Sequence, residues 1–223
     1  MPKDEALVAS LCQGERALGI SLTPEQRNRL IVYIKLIVKW NRVYNLTAVR
    51  DPQRMLDRHI LDSLSVLPYL LSSRIIDIGA GAGLPGIPLA IACPDNTFVL
   101  LDSNRKKTRF MQQAKIELAL DNVEVVCDRV ENYHPAERFD TVISRAFSSL
   151  LNMVNWSAHL CAPNGILLAM KGHYPEEELA ELAQHSGPTN SLQIKAVHNL
   201  HCAGAPAQRY LVEIKAPKSS NQN

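Results

Sequence analysis

The residues best placed to do chemistry begin with three alternating glycines, Gly79, Gly81 and Gly83, followed by Gly86. They come directly after the apolar run Ile75, Ile76 and Ile78, which only Asp77 interrupts. β-branched residues passing at once into glycines read as a buried strand entering a tight turn. Glycine lacks a Cβ and tolerates positive φ, so a ligand can lie against the backbone of such a turn. In an open α/β sheet, ligands bind in the crevice at that end of the strands. Ala80 and Ala82 keep the loop small, and Leu84 and Pro85 lead into an apolar stretch, Ile87 to Ala92, that reads as the start of a helix. Asp102 ends a second apolar run, TFVLLD, 23 residues after Gly79, with Ser103 beside it. A carboxylate facing two ribose hydroxyls is well matched, because each hydroxyl donates. It favours a ribose without a 2′-phosphate. The competing reading makes Asp102 the N-cap of the helix that follows.

Three further segments fall at later strand ends. DRVEN, 128–132, lies where an adenine would sit in this topology: Val130 covers one face of the ring and Glu131 or the backbone meets its edge, with Arg129 alongside. The alternative is a solvated charged loop. SRAFSS, 144–149, presents Arg145 and Phe147, a cation and a stacking surface. Lys171 in MKG ends another strand at the same edge, and NRKKTR, 104–109, brings four basic residues, Lys106 and Lys107 among them. Such charge suits a phosphate backbone, although a solvated helix face explains each lysine as well. Arg58 belongs with these cations.

Spacing narrows the ligand. A dinucleotide fingerprint, G-x-G-x-x-G, would need glycine at position 84, where Leu84 stands, and no Gly-Lys-Ser/Thr follows to make a P-loop. G-x-G-x-G after an acidic strand residue looks like the first motif of S-adenosylmethionine-dependent methyltransferases. The Asn/Asp-Pro-Pro-aromatic device that grips an exocyclic amine is missing at 144–149, and no Pro-Cys pair offers a thiolate.

The elements must carry these residues to one edge. Residues 3–19 read as a helix, and a capping box of Thr23, Pro24 and Gln26 opens a long amphipathic helix reaching about Trp40. A mixed aromatic and basic segment, 39–52, is followed by a helix over about 53–71 that carries Arg58, His59, Asp62 and Ser63. Strands at 74–79, 97–102, 123–127, 139–144 and 165–170 then alternate with helices at 84–93, 104–119, 148–160 and 175–185, and strands at 192–199 and 208–216 close the chain. That alternation predicts an α/β fold with a mostly parallel seven-stranded sheet, the last strand antiparallel because the final pair can form a hairpin. The domain reading is an N-terminal helical extension over 1–72, a cofactor-binding domain over 73–217 and a disordered tail over 218–223.

Composition excludes several classes. The 223 residues are 46% apolar, ample for a core, and the net charge is +2, so any nucleic-acid site must be a local patch. Five cysteines without a C-x-x-C argue against a zinc site or a disulfide framework and for a cytoplasmic protein. No signal peptide opens the chain and no apolar run approaches a membrane span.

KWNRVYNLT, RHILDSLSVLPYL, IDIGAGAGLPGIPLAI, LLDSNRKKTRFM and ISRAF occur in this order. Together they resemble the glucose-inhibited division protein B family, the small-subunit ribosomal RNA guanine-N7 methyltransferases, over roughly residues 20–215. The resemblance implies a class I, Rossmann-like methyltransferase fold with a helical extension and S-adenosyl-L-methionine as cofactor. It implies methylation of one guanine in the decoding region of 16S RNA. It places cofactor contacts at Gly79, Leu84, Val130, Glu131 and Arg145, with Asp102 at the ribose. The partner is then small-subunit ribosomal RNA or the 30S particle, met by a monomer and away from any membrane.

Guanine N7 already holds an in-plane lone pair and no proton. Its methylation needs no general base, in keeping with the missing acid–base machinery, and rests on in-line placement. Arg145 is then a positioning or phosphate-binding group, and His59, beside Arg58 and Asp62, reads as structural. A non-catalytic RNA-binding assembly factor and a nicotinamide oxidoreductase are the rival classes. Replacing Asp102 by Ala is expected to weaken S-adenosylmethionine binding about 10- to 100-fold, since hydrogen bonds to a charged acceptor are worth about 1.5–3 kcal/mol. Calorimetry checks this, and unchanged affinity would remove Asp102 from the ribose site.

Overall fold

The computed structural model describes residues 2–71, 73–145, 148–185, 193–200 and 208–215. Helix α1 runs Pro2–Leu18 and α2 Pro24–Tyr44. The capping box holds: Thr23 Oγ1 accepts from the Gln26 amide at 3.2 Å, and Gln26 Oε1 accepts from the Thr23 amide at 2.8 Å. Gln26 also donates through Nε2 to the carbonyls of Ile91 and Ala92, at 3.0 and 3.1 Å. One side chain thus satisfies the start of α2 and the orphan carbonyls at the end of α5 (Gly86–Ala92).

The stretch expected as one helix over 53–71 is broken. A short α3, Pro52–Met55, capped by Asp51, passes into a π-helical segment, Leu56–Leu61, then α4, Asp62–Leu64, and a 3₁₀ turn at Leu67–Tyr69. Ser63 Oγ donates to the His59 carbonyl and Ser65 Oγ to the Asp62 carbonyl. Such side-chain bonds compete with the i→i−4 ladder. Single π turns often mark functional sites, and this one carries Arg58 and His59.

The sheet has seven strands in the order β3-β2-β1-β4-β5-β7-β6. They are β1 Arg74–Ile78, β2 Thr97–Leu101, β3 Val123–Val126, β4 Phe139–Arg145, β5 Cys161–Lys171, β6 Gln193–Leu200 and β7 Arg209–Lys215. The first five pair in parallel. β7 enters antiparallel between β5 and β6, as a closing hairpin requires. Its start therefore lies beside the end of β5, Lys171 opposite Tyr210. The order reverses between β1 and β4, which opens the crevice of a doubly wound sheet.

Both faces are covered, so β1 and β2 read as nearly continuous apolar runs. Ile75 and Leu100 join Leu11, Tyr33, Ile37 and Phe110 on the side of α1, α2, α5 and α6 (Arg105–Glu117). Ile76, Ile78 and Leu101 join Leu150, Val154 and Leu182 beneath α7 (Leu150–Ser157) and α8 (Glu176–His185). The N-terminal helices therefore share one core with a face of the sheet.

Tyr33 joins the two parts most directly. Fully buried, it donates its hydroxyl to the Ala82 carbonyl, lies 3.3 Å from that of Gly83, and stacks its ring on Phe110 at 6.4 Å. Replacing Tyr33 by Phe is expected to cost about 1–3 kcal/mol by leaving a buried carbonyl without its donor, and to weaken cofactor binding through a loosened loop. Urea unfolding with calorimetry on the folded variant checks both; stability within error of the parent would show the loop holds itself.

Candidate active site

The turn after β1 forms because three residues adopt left-handed backbone: Gly79, Gly81 and Gly83 have φ of 67°, 61° and 82°. A Cβ on Gly83 would strike Ile87 at 2.4 Å, whereas one on Gly81 would meet nothing nearer than the Gly79 carbonyl at 3.9 Å, in open space. Asp102 ties the loop down. Its Oδ2 accepts from the Gly81 amide at 2.9 Å and its Oδ1 from the Asn104 amide at 2.8 Å. Asn104, not Asp102, caps α6, accepting from the Lys106 amide. A carboxylate has about four acceptor positions, so Asp102 keeps capacity for a ligand's hydroxyls. Lys107 Nζ stands 3.7 Å from its Oδ2.

A cavity of about 380 Å³ opens here, within the range of small-molecule sites, roughly 300–1,000 Å³. It is lined by Gly79, Asp102, Ser103, Val130 and Glu131, together with Lys107, Arg129 and Trp156. Ala80, Gly81, Gly83 and Leu84 make the turn itself, and Ala80, Gly83 and Leu84 are buried. The residues suit S-adenosylmethionine: a glycine backbone open to close approach, a carboxylate for ribose, buried Val130 for a ring face and exposed Trp156 at the wall. Asp77 adds a free acceptor. Its Oδ2 takes the Gly86 amide at 2.8 Å, while its buried Oδ1 has no hydrogen-bond partner among the described residues. Burial, with the Asp102 charge adding to it, pushes Asp77 up to about 7; an ammonium group beside Oδ1 would draw it back toward the ionised form.

Beside it, at the ends of β4 and β5 and the start of β7, lies a second cavity of about 330 Å³. Its centre is Asp62, 3% exposed. Arg145 Nη1 donates to Asp62 Oδ2 at 3.3 Å and to the Arg58 carbonyl at 3.1 Å, and Arg209 Nε donates to Asp62 Oδ1 at 3.1 Å. Arg58, His59, Lys171 and Tyr210 complete the wall. Lys171 is held by the Ser148 carbonyl and by Glu178, at 2.9 and 2.7 Å. His59 Nδ1 stands 3.0 Å from the Arg58 carbonyl and Nε2 2.8 Å from Thr47 Oγ1. A carbonyl only accepts, so Nδ1 carries the proton and Nε2 accepts from Thr47. Burial, reinforced by the Arg145 charge, holds His59 down at about 4. It is neutral near pH 7 and its one lone pair is already used.

The structure thus divides the residues expected from sequence between two neighbouring cavities. Arg145 stands in the second, with Arg58 and Lys171, and not in the cavity with the glycine loop. Arg129 and Lys107, expected at RNA, line the first, while Lys106 is exposed on α6. Phe147 lies outside the described residues, as does the tail 218–223. Sequence reasoning missed Arg209 and Tyr210, which no motif marks, and Trp156 and Tyr33, which resemble ordinary core aromatics.

The sheet order and the glycine turn define the class I methyltransferase fold. Solved structures agree: N-methyltransferase NodS from Bradyrhizobium japonicum in complex with S-adenosyl-L-homocysteine aligns at TM-score 0.54 and 16% identity over 82% of this chain and 99% of that one. A SAM-dependent methyltransferase from Aquifex aeolicus aligns at 0.56 and 19% identity over 74% and 94%. The chain belongs to the GidB family, rRNA small subunit methyltransferase G, whose family model matches residues 26–211. Relatives named ribosomal RNA small subunit methyltransferase G include those of Pseudomonas syringae, 47% identical over 92% of this chain and 93% of that protein, and Klebsiella pneumoniae, 52% identical over 91% and 94%.

His59 gives a pH prediction. Its folded pKa of about 4 lies below the ordinary histidine value of about 6.5. Between the two the unfolded chain binds more protons, so this histidine's contribution is present above about 6.5 and is lost as pH falls toward 4. Asp77, raised to about 7, acts in the opposite sense over the same range but cancels between parent and variant. The stability difference between His59→Gln and parent is expected to move in the variant's favour by about 2 kcal/mol from pH 7 to pH 5. Paired urea titrations measure this; a constant difference would mean that His59 is not held neutral.

Proposed function

We propose that this chain transfers a methyl group from S-adenosylmethionine to N7 of a guanine in small-subunit (16S) ribosomal RNA. The observation that carries the reading is the pair of adjoining cavities at one sheet edge. One is shaped for the cofactor, and the other is cationic and, among the described residues, offers no side chain free to take a proton. Bound S-adenosylmethionine supplies a methyl on an electron-poor sulfonium. Gly79, Asp102, Ser103, Val130 and Glu131 hold it, the loop of Ala80, Gly81, Gly83 and Leu84 giving the backbone its shape.

The acceptor base enters the second cavity. Arg145 and Arg209, locked by Asp62, meet its phosphate or its carbonyl edge, and Arg58 and Lys171 add positive charge for the RNA backbone. Phe147, Arg129, Lys106 and Lys107 are proposed as further RNA contacts. N7 attacks with a lone pair and loses no proton, so the chain's part is orientation, worth up to several kcal/mol in oriented reactions. Arg145, always charged, cannot act as a base; it positions. Family membership favours ribosomal RNA as acceptor, and the cytoplasm is where that substrate resides. Among the described residues no helix is long and apolar enough to cross a membrane.

The experiment maps N7-methylguanine in ribosomal RNA with and without the protein, then follows single-turnover methyl transfer at saturating RNA and cofactor. The rate is expected to stay level from pH 8 to pH 5. A base with ordinary histidine pKa would lose about tenfold per unit below about 6.5. His59→Gln is expected to change the rate less than about tenfold, and Arg145→Ala to lower it by about 100-fold or more while remaining folded. A rate that falls in proportion to acid, with His59→Gln folded and inactive, would point to an acceptor that carries a proton. Cofactor and RNA binding without any methylated product would favour an assembly factor.

A further inference from the structure

We infer that the exposed basic face running along α2, the following loop and α3 is a docking track for RNA backbone that ends in the Asp62 cavity. The inference rests on the reading of the chain as an RNA methyltransferase and extends its substrate contacts to the helical extension. Lys35, Lys39 and Arg42 follow one another on α2 at spacings of four and three and so share one helix face, about 10 Å long. Arg54 and Arg58, four apart, continue the line, with Arg50 between the two groups. All six are exposed.

Two depressions lie along this line, of about 570 and 330 Å³. Asp51 borders both, and Arg58 borders both the second depression and the Asp62 cavity. The path is therefore continuous from α2 to the proposed acceptor site. Its floor is partly apolar, with Leu7, Ile34, Val38 and Pro52, which suits sugar and base faces between phosphates.

Charge decides between a track and an ordinary solvated helix face. Two carboxylates, Asp4 and Asp51, line the depressions against six cations, a net of +4, whereas the whole chain nets +2. Asp4 is taken by Lys35 at 2.8 Å, and Asp51 caps α3 through the Arg54 amide at 2.9 Å. Lys39, Arg42, Arg50, Arg54 and Arg58 make no ion pair among the described residues. The first turns of α2 show the ordinary alternative, with Glu25 paired to Arg29 four residues on at 2.6 Å. From there to Asp51 the sequence holds no acidic residue at all. A line with this excess of positive charge fits a polyanion strand, and its junction with the cationic cavity fits the strand that carries the acceptor base.

The test is the triple variant Lys39→Gln/Arg42→Gln/Arg54→Gln, with Arg16→Gln/Lys115→Gln/Arg138→Gln as a charge-matched control elsewhere on the surface. Probes are unmethylated small-subunit ribosomal RNA, alone and within the small ribosomal subunit, in filter binding from 50 to 200 mM salt. The track variant is expected to bind both at least about tenfold more weakly at 100 mM salt, with the log–log salt slope reduced by about 2. Its S-adenosylmethionine affinity stays unchanged, and the control stays near the parent. Parental affinity in the track variant, or an equal loss in the control, would overturn the track. Loss toward the subunit but not toward free RNA would assign the face to a ribosomal protein and overturn it as well. N7 mapping on the parent is read separately, so a missing methyl product refutes the proposed reaction without deciding the binding result.

Discussion

The loop at 79–83 can exist only if three alternating left-handed glycines are held against their own freedom. Glycine loses more conformational entropy on folding than any other residue, so an unsupported loop of this kind would be mobile rather than a ligand cradle. Support arrives from three directions: Asp102, just past β2, accepts from the Gly81 amide, Tyr33 on α2 donates to the Ala82 carbonyl, and Asp77 on β1 accepts from the Gly86 amide. Each is a buried polar group bonded to the backbone it restrains, so the bonds that shape the loop also offset part of the cost of burying their partners, although Asp77 keeps Oδ1 without a partner among the described residues.

That arrangement makes the helical extension part of the site. Tyr33 and Gln26 both come from α2, one reaching the glycine turn and the other the end of α5. The π-helical segment then sets Arg58 and His59 against the ends of β4 and β5. Asp62 performs for the second cavity what Asp102 performs for the first. A buried carboxylate left alone would be costly, and two guanidinium groups from strands far apart in sequence neutralise it while their own directions become restricted. Unlike Asp102, it draws its partners from β4 and β7, so the second cavity exists only once the sheet is complete.

The chemistry agrees with this economy of titratable groups. His59 is buried, neutral and bonded through both ring nitrogens, and the cations around it cannot accept protons. A reaction that needs orientation and charge, with no proton taken from the acceptor, is the one such a cavity can assist.

The sequence by itself determined the strands, since each is a short apolar run closed by a turn signal, and with them the glycine loop, Asp102 and Arg145 at strand ends. Order along the chain plus the handedness of crossovers then places those ends on one edge. The family motifs were legible for the same reason: they are contiguous. Tertiary structure alone decided the rest. Arg209 and Tyr210 enter the cavity because β7 inserts between β5 and β6, a pairing that no local pattern encodes. The apolar spacing over 53–71 is that of a regular helix, while Ser63 and Ser65 bond to carbonyls of the preceding turn and the ladder shifts. Lys106 and Lys107 look alike in sequence, yet the roughly 100° of rotation between neighbouring helical residues leaves the first in solvent and sets the second beside Asp102. Periodicity reports which face of an element is apolar; it carries no information on which distant side chain will meet a buried carboxylate, because that depends on contacts formed only when the sheet closes.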